Sequence, residues 1–288
     1  MSNPQKIALL TDSTADLTPE LRAGKPIYVV PLKISCADGE FSDGVDITAG
    51  DVYDRLHRGE LPRTSLPEGG VVSDTLDQIR ADGYEKVIAV MLSSGLSGTY
   101  NMVRLQAEQR DDLEMAVFDS KSGSLGIGAT VMQLWEDIQA GMSWEELTGR
   151  RVQELMANTF VFFSVDTLEY LRRGGRIGRV AAMAGTMLSI KPIITFAPDG
   201  QLLSTAKVRG RKQVQDKILD LMRQKLQEGK KYNLGVAHGG APEEMAVFAQ
   251  RVRELFPDYE HCWEGAMDAT LSVYIGDGVL GGGIQFFD

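Results

Sequence analysis

The chain has few of the residues that most often carry redox, metal or disulfide chemistry. It contains two cysteines and three histidines in 288 residues. Cys36 and Cys262 lie far apart in the sequence, so they form neither a zinc-ligand spacing nor a disulfide framework. No other metal-ligand spacing is present. We therefore expect neither a metal site nor a redox centre.

Long apolar runs and an excess of positive charge are also missing. No run reaches the roughly 18 apolar residues of a membrane-spanning helix, and the run from Ile7 to Leu10 is too short for a secretory signal. Lysine and arginine number 30 against 40 acidic residues, which gives a net charge of −10. A chain of this charge is not expected to bind nucleic acid. We predict a soluble cytoplasmic protein.

The residues that are present predict a folded protein of two domains. Hydrophobic residues are 43% and charged residues 24% of the chain, a globular balance, and its length suits two cores. We place the boundary between residues 158 and 159. Residues 1–158 are predicted to form the N-terminal domain, and residues 159–288 the C-terminal domain.

Periodicity predicts an α/β fold class. In the first half, apolar runs such as Ile7–Thr11, Tyr28–Ile34 and Val87–Leu92 alternate with helical stretches, which favours a parallel sheet. In the second half, the turn Pro198-Asp199-Gly200 joins two strand-like runs, which indicates an antiparallel hairpin. We therefore expect an N-terminal α/β domain with a parallel sheet and a C-terminal α+β domain with a mixed or antiparallel sheet.

Four polar clusters could carry chemistry. They are Asp12–Asp16, Arg63–Pro67, Ser93–Tyr100, and the basic, glycine-containing stretch Arg172–Arg179. The serine-rich cluster follows a predicted strand and precedes a predicted helix, which is the setting of an anion site at a helix N-terminus. Turn and cap chemistry, a plain surface loop and a solvated charged face remain the simpler interpretations of the other three.

The clusters leave two functions open at this point. One is a hydrolase or phosphotransferase that uses Ser97 with His238, the only histidine at the end of a predicted strand. Thr99 stands where the second glycine of a G-x-S-x-G elbow would be, and the phosphate P-loop pattern is absent. The other is an interaction module that uses the basic stretch around Arg176.

The clusters together resemble the DegV family, whose members include the fatty-acid-binding subunit of bacterial fatty acid kinase. The resemblance runs along the whole chain in order. The matching segments are Thr11–Leu17, Thr64–Pro67, Ser93–Tyr100, Phe118–Lys121, Gly174–Ile177, Ile190–Ile193 and the glycine-rich last strand.

This resemblance implies a non-catalytic protein that holds a long-chain fatty acid of about 14 to 18 carbons between two domains. The carboxylate ligands implied by the motifs fall on Thr64 and Ser97, with Ser65, Ser94, Gly95 and Gly98 in supporting loops. No cofactor is implied. A partner kinase would phosphorylate the bound carboxylate for phospholipid synthesis, with transient contact to a membrane. The arginines implied in kinase or head-group contact are Arg176 and Arg209.

Two positions depart from the pattern of kinase-partnered members. The final motif reads Tyr274-Ile-Gly-Asp-Gly278, with tyrosine where those members usually carry histidine, and Leu66 stands where they carry glutamine. These changes affect the implied kinase coupling more than the implied acyl binding.

The apolar part of a 16-carbon chain contributes on the order of 12 kcal/mol before association costs, at about 0.8 kcal/mol per buried CH₂.

Overall fold

The structure is a computed structural model that describes residues 3–183 and 190–288. The strands of this part of the chain are β1 (Ile7–Asp12), β2 (Ile27–Val30), β3 (Lys33–Cys36), β4 (Gly39–Ser42), β5 (Arg63–Ser65), β6 (Lys86–Met91), β7 (Glu114–Asp119), β8 (Thr159–Ser164), β9 (Ile190–Phe196), β10 (Leu202–Arg209), β11 (Tyr232–Gly239), β12 (Cys262–Ala266) and β13 (Val279–Phe286).

The helices alternate with these strands. They are α1 (Pro19–Arg22), α2 (Ala49–His57), α3 (Gly69–Ala81), α4 (Thr99–Ala107), α5 (Leu125–Gln139), α6 (Trp144–Glu146), α7 (Val152–Ala157), α8 (Glu169–Arg173), α9 (Lys212–Arg223), α10 (Pro242–Leu255) and α11 (Ala269–Ile275). Short 3₁₀ turns cover Ser13–Ala15 and Gly178–Met183, and a π-helical turn covers Leu147–Arg151.

Three sheets organise the described residues, and they confirm the predicted α/β class. A parallel sheet has the order β2-β1-β6-β7, and a mixed sheet has the order β10-β9-β8-β13-β11-β12. In the mixed sheet, β11 and β12 are parallel and the other neighbours are antiparallel, including the predicted hairpin β9–β10. A small antiparallel sheet has the order β4-β3-β5.

Helix α5 packs between the two larger sheets. It contacts β1 and β6 on one side and β8, β11 and β13 on the other. Almost every residue of α5 is buried, and its sequence shows no polar stripe because both sides face protein. The outer face of the parallel sheet is covered by α3 and α4, and the outer face of the mixed sheet by α9 and α10.

The predicted single strand Tyr28–Ile34 is wrong. The chain forms two strands there, β2 and β3, which belong to different sheets. Pro31 lies between them and has no N–H to donate to a sheet, so the ladder is interrupted at this residue. The consequence is functional, because β3 turns away to form the small sheet whose edge strand β5 carries Thr64.

The boundary between residues 158 and 159 stays a prediction. Every strand of the parallel sheet precedes it, and every strand of the mixed sheet follows it. Helix α5, however, comes from the first segment and shares its apolar core with the mixed sheet.

Candidate functional site

A cavity of about 270 Å³ lies between α5 and the inner face of the mixed sheet. Aliphatic and aromatic side chains form most of its wall, among them Leu92, Leu125, Phe163, Met267 and Leu271. One end is polar and is formed by β5, by the loop after β6 and by α11. The wall suits an alkyl chain, and the polar end suits a head group.

Glycines in the mixed sheet make room for the cavity. In the strand register, Gly281 of β13 lies between Ala237 of β11 and Phe163 of β8. Two residues along the strands, Gly283 lies between Gly235 and Val161 in the same way. All six residues line the cavity. Side chains on alternate residues of a strand point to the same face, so a glycine at these positions leaves space where a larger residue would fill it.

Thr64 and Tyr274 meet at the polar end. Thr64 lies on β5, where it pairs with Ile34, and Tyr274 lies on α11. The two hydroxyls form a short hydrogen bond, and both residues line the cavity. Tyr274 therefore adds a hydroxyl beside the one that the Thr64 motif predicts.

Ser97 lies in the loop that follows β6 at the carboxyl end of the parallel sheet. Its Oγ lies 2.9 Å from the Thr99 Oγ1 and accepts a hydrogen bond of 3.3 Å from the Thr99 N–H, at the first residue of α4. Ser97 and Gly98 both line the cavity. The loop thus brings a hydroxyl and a helix N-terminus to the polar end, where both favour an anion.

Arg176 brings a positive charge to the same end. Its Nε donates to the Leu96 carbonyl at 3.1 Å and its Nη1 to the Gly174 carbonyl at 2.7 Å. The guanidinium lies 5.1 Å from the centre of the Tyr274 ring. These contacts hold the cation beside the hydroxyls of Thr64, Ser97 and Tyr274, in a site that can offset the desolvation of a carboxylate.

Gly95 lets the serine loop touch the hairpin of the mixed sheet. A Cβ atom at Gly95 would lie 2.5 Å from the Gly200 carbonyl carbon in the β9–β10 turn. The Ser93 hydroxyl donates to the Gly200 carbonyl at 2.8 Å and accepts from the Gly95 N–H. Any larger residue at position 95 would push the turn away from the loop.

The remaining predicted residues divide between the cavity and its surroundings. Ser65 lines the cavity, whereas Ser94 and Gly95 support the loop from outside the lining. The Ser94 hydroxyl accepts from Lys121 Nζ at 2.9 Å. Arg209 is exposed at the end of β10 and is not a lining residue.

The geometry gives no support to a Ser97–His238 pair. Within residues 3–183 and 190–288, the two side chains share no hydrogen bond. His238 Nδ1 accepts from the Ala241 N–H at 3.1 Å, and burial lowers the pKa of His238. His238 is not a lining residue of the cavity. The contact that a serine nucleophile needs from its base is therefore missing in the part of the chain that is described.

A cluster of carboxyl groups lies behind the polar end. Burial raises the pKa of Asp12 to about 6 and that of Asp16 to about 7. Asp16 accepts hydrogen bonds from the Ser124 hydroxyl and from the Asp268 N–H. Burial, and after it the charges of Asp43 and Asp16, raises the pKa of Asp268 well above its ordinary value. Ser124 lines the cavity, so this cluster supports the wall from behind.

Cys36, Asp38 and Glu60 are the one group of potential metal ligands that approach one another among the described residues. Their ligand atoms lie within 4.8 Å of one another, at the end of β3, in the β3–β4 turn and in the segment before β5, and none of the three residues lines the cavity. Arg55 binds both carboxylates, at 2.8 Å for Asp38 and 3.3 Å for Glu60. An arginine therefore already occupies the position beside both acids.

Comparison with known proteins assigns the family. A family model described as "Uncharacterised protein, DegV family" matches residues 6–286. A DegV domain-containing protein of Clostridium perfringens is 38% identical over 281 residues, which cover 98% of this chain and 99% of the relative. The chain belongs to the DegV family.

Solved structures of DegV family proteins share the fold. One, described as fatty acid binding and from Thermus thermophilus, has a TM-score of 0.90 at 29% identity and covers 97% of this chain and 99% of its own. A stearic-acid-binding protein from Eubacterium ventriosum has a TM-score of 0.87 at 27% identity and covers 97% of this chain and 98% of its own. The family prediction and the fold prediction are thereby confirmed.

In this DegV family chain, Thr64 and Ser97 of the sequence motifs lie at the polar end of the cavity, whereas no motif indicates the other end. Gly281 and Gly283 belong to the glycine-rich last strand, but the sequence does not indicate that they and Gly235 leave space in a cavity wall. The far end is lined by Asn233, Gln285 and Thr159, which lie on three neighbouring strands. These residues are not adjacent in the sequence, so only the register of the sheet brings them together.

No described helix combines the length and the apolar character needed to cross a lipid bilayer.

Proposed function

We propose that this protein binds one long-chain fatty acid in the cavity between α5 and the mixed sheet. The carboxylate lies at Thr64 and Ser97, and the acyl chain runs over the glycines of β11 and β13. The observation that carries the proposal is a single cavity with an aliphatic wall and one end lined by Thr64, Ser97, Arg176 and Tyr274. Fatty-acid-binding DegV structures with the same fold support it.

Burial of the alkyl chain dominates the affinity in this proposal. About 0.8 kcal/mol per CH₂ gives on the order of 12 kcal/mol for a 16-carbon acid, from which association and ordering subtract several kcal/mol. Hydrogen bonds to a charged group contribute about 1.5–3 kcal/mol each, which offsets the loss of hydration at the carboxylate. The protein acts as a carrier, and the head group sets the orientation of the acid.

Mass spectrometry of the purified protein tests the proposal. We expect one fatty acid of about 14 to 18 carbons per chain after extraction. Thr64→Ala and Ser97→Ala are expected to weaken binding roughly tenfold each, which corresponds to the loss of one hydrogen bond to a charged group. Tyr274→Phe is expected to have a smaller effect, because the Thr64 hydroxyl remains.

Thr75→Ala is the matched control. Its hydroxyl donates to the Val71 carbonyl within α3, and Thr75 does not line the cavity. A purified protein that contains no fatty acid and does not bind added palmitic acid would overturn the proposal. Unchanged affinity in both head-group variants would overturn the assignment of Thr64 and Ser97.

We propose further that the bound acid is presented to a fatty acid kinase at the polar end. A second depression of about 360 Å³ adjoins the cavity there and shares Thr64, Arg176 and Tyr274 with it. Arg63 and Arg173 also line this depression, and both are exposed. A basic surface beside the carboxylate suits a partner that carries ATP phosphates.

The kinase role is tested with a bacterial fatty acid kinase catalytic subunit and ATP. We expect the loaded protein to yield acyl phosphate, and we expect Arg173→Ala and Arg209→Ala to lower the rate while lipid occupancy is unchanged. If acyl phosphate does not form on fully loaded protein, the role is limited to carriage.

A further inference from the structure

The far end of the cavity, away from Thr64 and Ser97, carries a row of polar side chains. Asn233 pairs with Gln285, and Gln285 pairs with Thr159, across β11, β13 and β8. All three residues line the cavity. Asn233 has no exposed surface and Gln285 is 1% exposed. An alkyl chain has no hydrogen-bond donor or acceptor, so these buried polar side chains must find their hydrogen-bond partners elsewhere.

An ion pair fixes the direction of the hydrogen bonds that reach this row. Arg151 donates to both carboxylate oxygens of Asp137, at 2.6 and 3.0 Å. Gln133 Nε2 donates to Asp137 at 3.1 Å, so the Gln133 amide oxygen faces the other way. That oxygen accepts from Asn233 Nδ2 at 2.9 Å. The orientation of the Asn233 amide is therefore set, with its nitrogen toward α5.

On the other side of Asn233, the side-chain amide of Gln285 already has hydrogen-bond partners for both its oxygen and its nitrogen. Gln285 Oε1 accepts from Asn233 Nδ2 at 3.4 Å, and Gln285 Nε2 donates to the hydroxyls of Thr130 and Thr159. The Thr130 hydroxyl donates in turn to the Gly126 carbonyl of α5, and the Thr159 hydroxyl donates to the Leu155 carbonyl of α7. The Asn233 Oδ1 is left as a buried acceptor without a partner among the described residues.

We propose that Asn233 Oδ1 accepts a hydrogen bond from a hydroxyl on the distal part of the acyl chain, so that the ligands include long-chain hydroxy fatty acids. This inference rests on the proposed function. The amide oxygen is already buried without a donor, and a methyl terminus leaves it so, whereas a hydroxyl supplies the missing donor. The rest of the network already satisfies its own donors and acceptors.

The position of Asn233 defines which hydroxyl can reach it. From Ala237 to Asn233 the strand β11 runs about 13 Å along the cavity, at about 3.3 Å per residue. Two residues beyond Ala237, a Cβ at Gly239 would lie 3.3 Å from the Gly276 carbonyl oxygen, just after the α11 residue Tyr274 that lines the polar end. A hydroxyl close to the carboxylate therefore cannot reach Asn233, and one near the methyl end can.

Competitive binding to delipidated protein, read by native mass spectrometry, tests the inference. The probes are palmitic acid, 16-hydroxyhexadecanoic acid, 12-hydroxyoctadecanoic acid, and the methyl ether of each hydroxy acid. We expect at least one hydroxy acid to bind as tightly as palmitic acid or more tightly. Its methyl ether, which has no donor, should bind roughly tenfold more weakly. The matched ligand control is 2-hydroxyhexadecanoic acid, which should gain nothing from Asn233.

Asn233→Leu is expected to lower the affinity ratio of that hydroxy acid to palmitic acid roughly tenfold. Ser164→Ala is the control variant, because it removes another buried hydroxyl without a described partner, on β8 but outside the cavity lining. Because Asn233→Leu also removes two donated hydrogen bonds, the ether comparison in the unaltered protein keeps the test valid if the variant does not fold.

The outcomes separate two failures. If palmitic acid binds and both hydroxy acids bind more weakly than it, with a ratio that Asn233→Leu leaves unchanged, the inference is overturned and a buried water serves the Asn233 oxygen. Equal binding of a hydroxy acid and its ether would overturn it as well. If palmitic acid does not bind either, the proposed function itself fails.

Discussion

At the scale of single residues, Tyr274 shows how one substitution changes the polar end of the cavity while a hydroxyl is kept there. Kinase-partnered members are expected to carry histidine here, which can take a proton near neutral pH. The Tyr274 hydroxyl instead bonds the Thr64 hydroxyl, and its ring lies beside the Arg176 guanidinium. The polar end therefore keeps a hydroxyl at this position and lacks the imidazole of a histidine.

Asp16 gives a prediction about stability and pH. Its pKa is raised to about 7 by burial, so the folded state holds a proton that the unfolded chain loses near pH 4. The unfolded state then binds fewer protons between about pH 4 and 7, and stability falls as the pH rises through this window. Asp16→Asn removes the burial cost of the charge, and asparagine tolerates the positive φ of 53° at this residue.

We expect Asp16→Asn to stabilise the protein at pH 8 by roughly 1–3 kcal/mol, or several degrees in Tm, and to change it little at pH 4. Thermal denaturation between pH 4 and 8 measures this. Asp74→Asn, on the exposed face of α3, makes the same change of charge without burial and should have no such effect. A loss of Tm at pH 8 in Asp16→Asn would contradict the argument.

At the scale of elements, α5 and the glycines of β11 and β13 determine the shape of the cavity. Gly235 faces Leu125 of α5, and a Cβ at this position would lie 3.4 Å from the Leu125 Cβ, an ordinary contact distance. A β-branched residue suits the middle of a strand. Gly235→Val should therefore fold, with its methyl groups inside the cavity.

We expect Gly235→Val to shift the preferred fatty acid to a shorter chain, because the valine methyl groups take space that the acyl carbons would use. Competition among saturated acids of about 10 to 18 carbons, read by native mass spectrometry, measures the shift. Gly265→Val on the neighbouring β12 is the control, since a Cβ there meets nothing within 4 Å and Gly265 does not line the cavity. An unchanged chain-length profile in Gly235→Val would place the acyl chain elsewhere.

At the scale of the whole molecule, the cavity lies inside the apolar core that joins the parallel sheet, α5 and the mixed sheet. A ligand in this place contacts both halves of the chain. Because it binds the folded state and not the unfolded one, it shifts the folding equilibrium by mass action.

We expect delipidated protein to unfold at a lower temperature than protein reloaded with palmitic acid. At a free ligand concentration about 100-fold above Kd, the gain is about 2.7 kcal/mol, which corresponds to roughly 5 °C or more in Tm. Differential scanning calorimetry measures it. Thr64→Ala should show a smaller rise at the same ligand concentration. Identical Tm values with and without palmitic acid would show that the acid does not bind the core.

Local signals in the sequence predicted much of the fold and the polar end of the site. The strand predicted at Ile7–Thr11 and the β9–β10 hairpin depend on residues a few positions apart, and the structure contains both. The ordered motifs also placed Thr64 and Ser97 at the cavity. By contrast, α5 was not predicted, because a helix buried on all sides has no polar stripe to reveal its period.

The sequence by itself therefore determined many of the elements, the family and the loops that carry Thr64 and Ser97. The tertiary structure alone decided that Thr64 meets Tyr274, 210 positions away, and that glycines of two strands share one face. It also decided that the Asn233 oxygen is left without a partner among the described residues. The reason is physical: backbone preferences and caps act over one or two turns of chain, whereas a cavity depends on the register between strands that are distant in sequence.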